Sequence, residues 1–176
     1  MPKPRKMLNN CSTPHIQSLM QLISTQSKPT VAKWAVDYAE RILLPLWNKY
    51  SPTDNRPRLS LEAARATIAG TIKWNTGLNT AVQACNKASN DAEDTPAPRA
   101  AARAIAQCSS AIHSASHSIG LALYGALAVA YDELGVNAPW QELTARAEEE
   151  CGNMLSALQA VAVENEPKPC KTGWEC

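Results

Sequence analysis

No surplus of charge is present in this chain: 17 basic side chains stand against 16 acidic ones, a formal net charge of +1. A general nucleic-acid coat needs a basic excess and an acidic mimic of nucleic acid needs the opposite, so neither is expected. No apolar run is long enough to span a bilayer. The longest uncharged one, Ile119 to Tyr131, falls short of the roughly 20 residues required and is closed by Asp132 and Glu133. The basic start leads into Asn9, Asn10, Cys11, Ser12 and Thr13, not into an apolar segment. No secretory signal is visible, and a cytoplasmic location is expected.

The six cysteines (Cys11, Cys85, Cys108, Cys151, Cys170 and Cys176) include no CxxC pair. Ordinary zinc spacing is lacking, and neither metal nor cofactor is expected. In a reducing compartment the six default to thiols; a disulfide within the tail, or from the tail to Cys11, is the alternative. Cys85, Cys108 and Cys151 fall in helical patterns and read as small core residues. Catalytic signatures are missing too. There is no GxSxG elbow, and no glycine-rich loop precedes a helix to cradle phosphates. A non-enzymatic protein is expected.

What is there is helix. Sustained β-branched alternation is nowhere found, and alanine dominates from Ala63 onwards. Thr13-Pro14, Ser27 before Pro29, and Thr95-Pro96 each place a capping hydroxyl before a proline, which belongs in a first helical turn. Apolar spacing predicts helices near 14–24, 29–50, 57–74, 78–89, 96–134 and 139–163. Pro45 should kink or split the second. The fifth carries the stripe Ala101, Ile105, Cys108, Ile112, Ala115, Ile119, Ala122 and Ala126 and reads as a long, Ala-rich central helix. Gly135 should end it and Asn137 should cap the sixth. Ile112 and Ile119 are expected in the core, and the run Glu148, Glu149, Glu150 in solvent. The fold class is all-α: a single-domain bundle of about six helices. Residues 1–12 read as a disordered basic arm, 13–163 as the bundle, and 164–176 as an irregular tail.

Charged residues adjoin core positions in two places. Asp37, Glu40 and Arg41 cluster on the second helix, with Asp37 and Arg41 four apart. Asp54, Arg56, Arg58, Glu62 and Arg65 cluster at the start of the third, and Glu62 could reach Arg58 and Arg65. Antiparallel packing should bring Arg56 or Arg65 to Asp37 or Glu40. His113 and His117 stand at i and i+4 on the fifth helix and should project from one face. Hydrogen bonds to acids on a neighbouring helix are the simplest use of them; a metal would need a third ligand.

The stretch WAVDYAERILLPLW, the loop SPTDNRPR and the start LSLEAARATIAG resemble a bacterial family of immunity proteins of the Imm-5-like type. In that family an acid-and-arginine helix ends in a Leu-Pro-Leu step, then leads through a D-x-R-P-R loop into an E-A-A-R helix. The segment AIHSASHSIG, Ala111 to Gly120, resembles the family's A-H-x-x-x-H-x-x-G helix. Gln107 and Cys108 stand where a further histidine is common in the family. The likeness runs from about Val31 to Met154. It implies a protein that binds and neutralises a cognate toxin, with Asp37, Glu40, Arg41, Arg56, Arg58, Glu62, Arg65, His113 and His117 as candidate binding residues. The alternatives are a small-molecule- or metal-binding bundle built on His113 and His117, and a structural homodimeric module.

Overall fold

The computed structural model describes residues 3–174, and these form seven helical segments. Helix α1 is Pro14–Ile23. Helix α2 begins as Lys28–Tyr38, passes through a π turn at Ala39–Leu43, and continues as Leu44–Tyr50. Helix α3 is Arg56–Ile68. Helix α4 opens with a π turn at Trp74–Leu78 and runs on as Asn79–Asp91. Helix α5 is Pro96–Ser110. Helix α6 starts as a 3-10 turn at Ala115–Ile119, widens to a π turn at Leu121–Gly125 and ends as Ala126–Leu134. Helix α7 is Trp140–Val161.

Proline stands in the first turn of α1, α2, α3 and α5, where its missing N–H is no loss. The Ser27 hydroxyl caps α2 by accepting from the Thr30 N–H (3.3 Å). Gly135, at φ +84°, closes α6 in a conformation that glycine alone adopts readily. Asn137 does not cap α7; Pro139 holds the N-cap position and no side chain makes that bond. Pro45 does not break α2. In an α-helix its ring would strike the Arg41 carbonyl. The π turn just ahead of it, which contains Arg41, widens the helix and removes that conflict.

The expected long helix from Pro96 to Leu134 is in fact two. Ser114 is extended (φ −140°, ψ 114°) and separates α5 from α6. Five serines between 109 and 118 compete for the backbone. Ser109 and Ser110 donate back to the carbonyls of Ile105 and Ala106, and Ser118 donates to Ala115. The chain folds back there, so α5 packs on α6 as well as on α2, α3 and α4. This places α5 at the centre. Its alanines at 100, 101, 102, 104 and 106 are buried, and their small size lets the neighbours come close. Helix α7 covers α6, α2 and α1 from outside. Ile119 is in the core, but Ile112 lies at the break and is only half-buried.

The segment expected to be a disordered arm lies against the bundle from Lys3 to Ser12. Leu8 is buried and its N–H donates to the Leu123 carbonyl (2.9 Å). The Tyr131 hydroxyl donates to the Arg5 carbonyl (3.0 Å), and the Arg5 guanidinium lies over Trp140. After α7 the chain is irregular, yet it is tied to the buried Gln26. The Gln26 side-chain amide bonds to both the N–H and the carbonyl of Val163, and the Gln26 backbone carbonyl accepts from the Cys170 N–H (2.7 Å). Cys85, Cys108 and Cys151 are buried thiols, and burial pushes Cys85 and Cys151 up to about 12. The default of six thiols does not hold, because Cys11 is disulfide-bonded. Cys176 lies outside the described residues.

Candidate functional site

The ionic seam forms where α3 turns back along α2. Trp47 fixes the connection: its indole N–H donates to the Asp54 carbonyl (2.8 Å) from a fully buried ring. Arg65 then faces Glu40 and Asp37. Its Nε donates to Glu40 Oε1 (3.0 Å) and its Nη2 to Glu40 Oε2 (2.6 Å), with Asp37 as a further acceptor of Nη2. The fork engages one carboxylate at two points, the geometry for which guanidinium is suited. All three side chains remain between a third and a half exposed. A double-mutant cycle on Glu40 and Arg65 should therefore give a coupling of about 0.5–1 kcal/mol, the upper part of the range for exposed pairs. A coupling under about 0.3 kcal/mol would leave the seam without a role in registering α3 on α2.

Arg56 does not join this seam. It stands at the opposite end of α3, where it chelates Asp54 through Nε and Nη2 and reaches Asp91 on α4 with Nη1 (2.9 Å). The guanidinium holds both carboxyls below their ordinary range. A depressed folded-state value stabilises the fold above the unfolded pKa and is lost as pH falls through the folded one. The melting temperature of wild type should thus fall more steeply below about pH 4 than that of Arg56→Met; parallel pH curves would count against it. Arg58 pairs with Glu62 (2.8 Å), as the spacing suggests, while Glu62 does not reach Arg65. Arg41 and Asp37 form no pair. Asp37 is taken by Arg65, and the π turn carries Arg41 over the Tyr38 ring, 5.1 Å from its centroid.

His113 and His117 are not on one helical face, because the break between α5 and α6 falls beside them. They do not bond to acids either. His113, in the turn, stacks on Trp74 with ring centroids 4.1 Å apart and planes 7° from parallel. Its carbonyl accepts from Lys28 Nζ (3.2 Å). His117 Nδ1 meets Gln107 Oε1 at 2.9 Å. Desolvation, then the neighbouring His113, lower the His117 pKa. Gly120 makes the arrangement possible: a Cβ there would stand 2.5 Å from Gln107 Cβ and 2.6 Å from its Cγ. Gly120→Ala should cost about 1–3 kcal/mol through overpacking, more than the helix propensity it adds; an unchanged melting temperature would show that α5 and α6 can separate freely. Among the described residues no group of three or more His, Cys, Asp or Glu side chains could hold a metal.

One polar constellation was not expected. Glu150, read as solvated with its two neighbours, is buried at 4% exposure. Only Glu149 is exposed; Glu148 is half-buried and accepts from the His15 N–H (3.2 Å). Glu150 Oε1 accepts from the Tyr38 hydroxyl (2.5 Å), and Oε2 accepts from Arg146 Nη2 (3.0 Å) and Asn153 Nδ2 (3.3 Å). Arg146 also grips Glu133 at two points, 2.6 and 2.9 Å. Burial, then the hydrogen bond to Glu150, hold the Tyr38 hydroxyl protonated far above its ordinary range. The network joins α2, α6 and α7. It borders a cavity of about 340 Å³ lined by Tyr38, Arg41, Val129, Glu133, Arg146 and Asn153 among others.

A family model described as Imm-5 like putative immunity protein matches residues 21–157. The chain belongs to this family. The match takes in the seam, both histidines and the Glu150 network, so all three are parts of the Imm-5-like domain. No curated protein and no solved structure matches the chain. Among the described residues no helix is long and apolar enough to cross a membrane.

Proposed function

We propose that this Imm-5-like protein binds a cognate toxin domain in the cytoplasm of the cell that makes both, and neutralises it by covering the toxin's active site without chemistry of its own. Membership of an immunity-protein family over most of the chain carries this reading. The α2–α3 ridge is the proposed contact face. It presents Asp37, Glu40, Arg58, Glu62 and Arg65 as a mixed array, with Lys28 and His113 at the N-terminal end of α2 and His117 beside Gln107 of α5. Alternating signs suit discrimination between toxins, because a wrong partner meets like charges. Arg56 takes a lesser part, since Asp54 and Asp91 already occupy it.

The test is co-expression with the toxin encoded beside this gene. Growth rescue and a complex that survives gel filtration are expected. The absence of both, with the folded protein present, would remove the reading.

A further inference from the structure

Arg41 is the cation of the α2 cluster that the fold leaves without an acid. Among the described residues its guanidinium pairs with no carboxylate, and its ring contact with Tyr38 is its one interaction. Its position has a definite cause. A π turn covers Ala39–Leu43, and such turns are rare and favour functional sites. This one sends Glu40 to the seam and Arg41 to the other side, onto Tyr38. Tyr38 cannot swing away, because its hydroxyl is held by the buried Glu150. Glu150 in turn is held by Arg146, whose own orientation is set by two bonds to Glu133. An exposed guanidinium thus stands on a locked aromatic platform and lines the open 340 Å³ cavity.

Arg146 contributes a second feature. Its Nε and Nη2 serve Glu133 and Glu150, while Nη1 bonds to neither. The oxygens of Glu133 and Glu150 that line the cavity are already engaged by Arg146, Tyr38 and Asn153. Every carboxylate oxygen at this place has at least one donor, whereas Arg41 and the Nη1 of Arg146 have no acceptor among the described residues. A pre-ordered arginine loses less side-chain freedom on binding, and arginine and tyrosine are both enriched among the residues that anchor protein interfaces.

We propose that Arg41, on its Tyr38 platform, is the anchor for an acidic side chain of the bound toxin, which enters the cavity between α2, α6 and α7. This deepens the toxin-binding reading and rests on it for the identity of the partner. It extends the contact face around α2 from the seam to the opposite side of the π turn.

Two measurements separate this proposal from that reading. In the first, the Nε–H resonance of Arg41 is followed while the folded protein is titrated with the blocked peptide acetyl-Glu-Glu-Glu-amide, with acetyl-Gln-Gln-Gln-amide as control. A saturable shift with the acidic peptide alone is expected, lost in Arg41→Gln; equal responses to both peptides would overturn the proposal whether or not a toxin is bound. In the second, the co-expressed toxin is captured with wild type, Arg41→Ala and Arg41→Lys. A loss of affinity of tenfold or more is expected for alanine, with lysine recovering only part, because it lacks the planar fork. Capture by wild type and alanine with equal affinity would overturn the role of Arg41 and leave the toxin-binding reading standing. Failure of wild type itself to capture the toxin would remove that reading, and the peptide titration would then decide the carboxylate site alone.

Discussion

Replacing Glu150 with alanine should lower the melting temperature by about 10 °C. Removal of one partner from a buried ion pair costs about 3–5 kcal/mol, because the other is left buried and uncompensated. Here three donors lose their acceptor at once: the Tyr38 hydroxyl, Arg146 and Asn153. Arg146 keeps Glu133, which argues for the lower half of that range. In a chain of this size each kcal/mol shifts the midpoint by about 2–4 °C. Glu150→Gln keeps the shape and one acceptor oxygen, and should lose less than half as much. A drop under about 3 °C for the alanine variant, measured by calorimetry at neutral pH, would mean that water replaces the carboxylate and that the Tyr38 platform is not locked.

The second large effect is expected at Trp47. Its side chain is fully buried at the end of α2, and its N–H holds the loop that turns the chain into α3. Truncation of a buried tryptophan to alanine costs about 3–5 kcal/mol. Trp47→Phe should retain most of the apolar contribution and lose about 1 kcal/mol for the missing hydrogen bond. Denaturant titration distinguishes the two by their midpoints. Alanine and phenylalanine variants of equal stability would place the whole effect in the bond to Asp54 and none in packing.

The helices themselves were legible because their punctuation is local. Pro14, Pro29, Pro57 and Pro96 each mark a first turn, and the three-and-four spacing of apolar residues supplies the buried faces. The break inside Pro96–Leu134 escaped the same reasoning. The stripe Cys108, Ile112, Ala115, Ile119 keeps helical spacing across it, and no proline or glycine falls between Cys108 and Ile119. The available signal was the density of serines, whose hydroxyls can satisfy helix carbonyls and so compete with the next turn. Because the histidines stand at that break, the shared face read from their spacing went with it.

Glu150 was hidden by its neighbours. Three consecutive acids read as a solvated run, but only the third stands three residues after Ala147 and four before Met154, both buried. That register placed it on the core face; the tyrosine and arginine that receive it come from positions 38 and 146, and the tyrosine lies on another helix. The Arg65 seam was legible because both sides of it sit on long helices joined by a short loop. The π turn at Ala39–Leu43 was not, since the buried residues Val36, Ala39, Leu43 and Leu46 keep ordinary three- and four-residue steps across it.

The central place of α5 has a consequence for how the protein comes off the ribosome. Helices α2, α3 and α4 all pack on α5, which is made after them. Until Pro96–Ser110 has emerged, these helices lack the element they share, and Cys85 lacks the Ala102 carbonyl that its thiol meets. Synthesis proceeds at about 5–20 residues per second, so this interval lasts for seconds. A chain truncated before α5 should therefore expose apolar surface that the full chain buries, and aggregation of that fragment is the expected result.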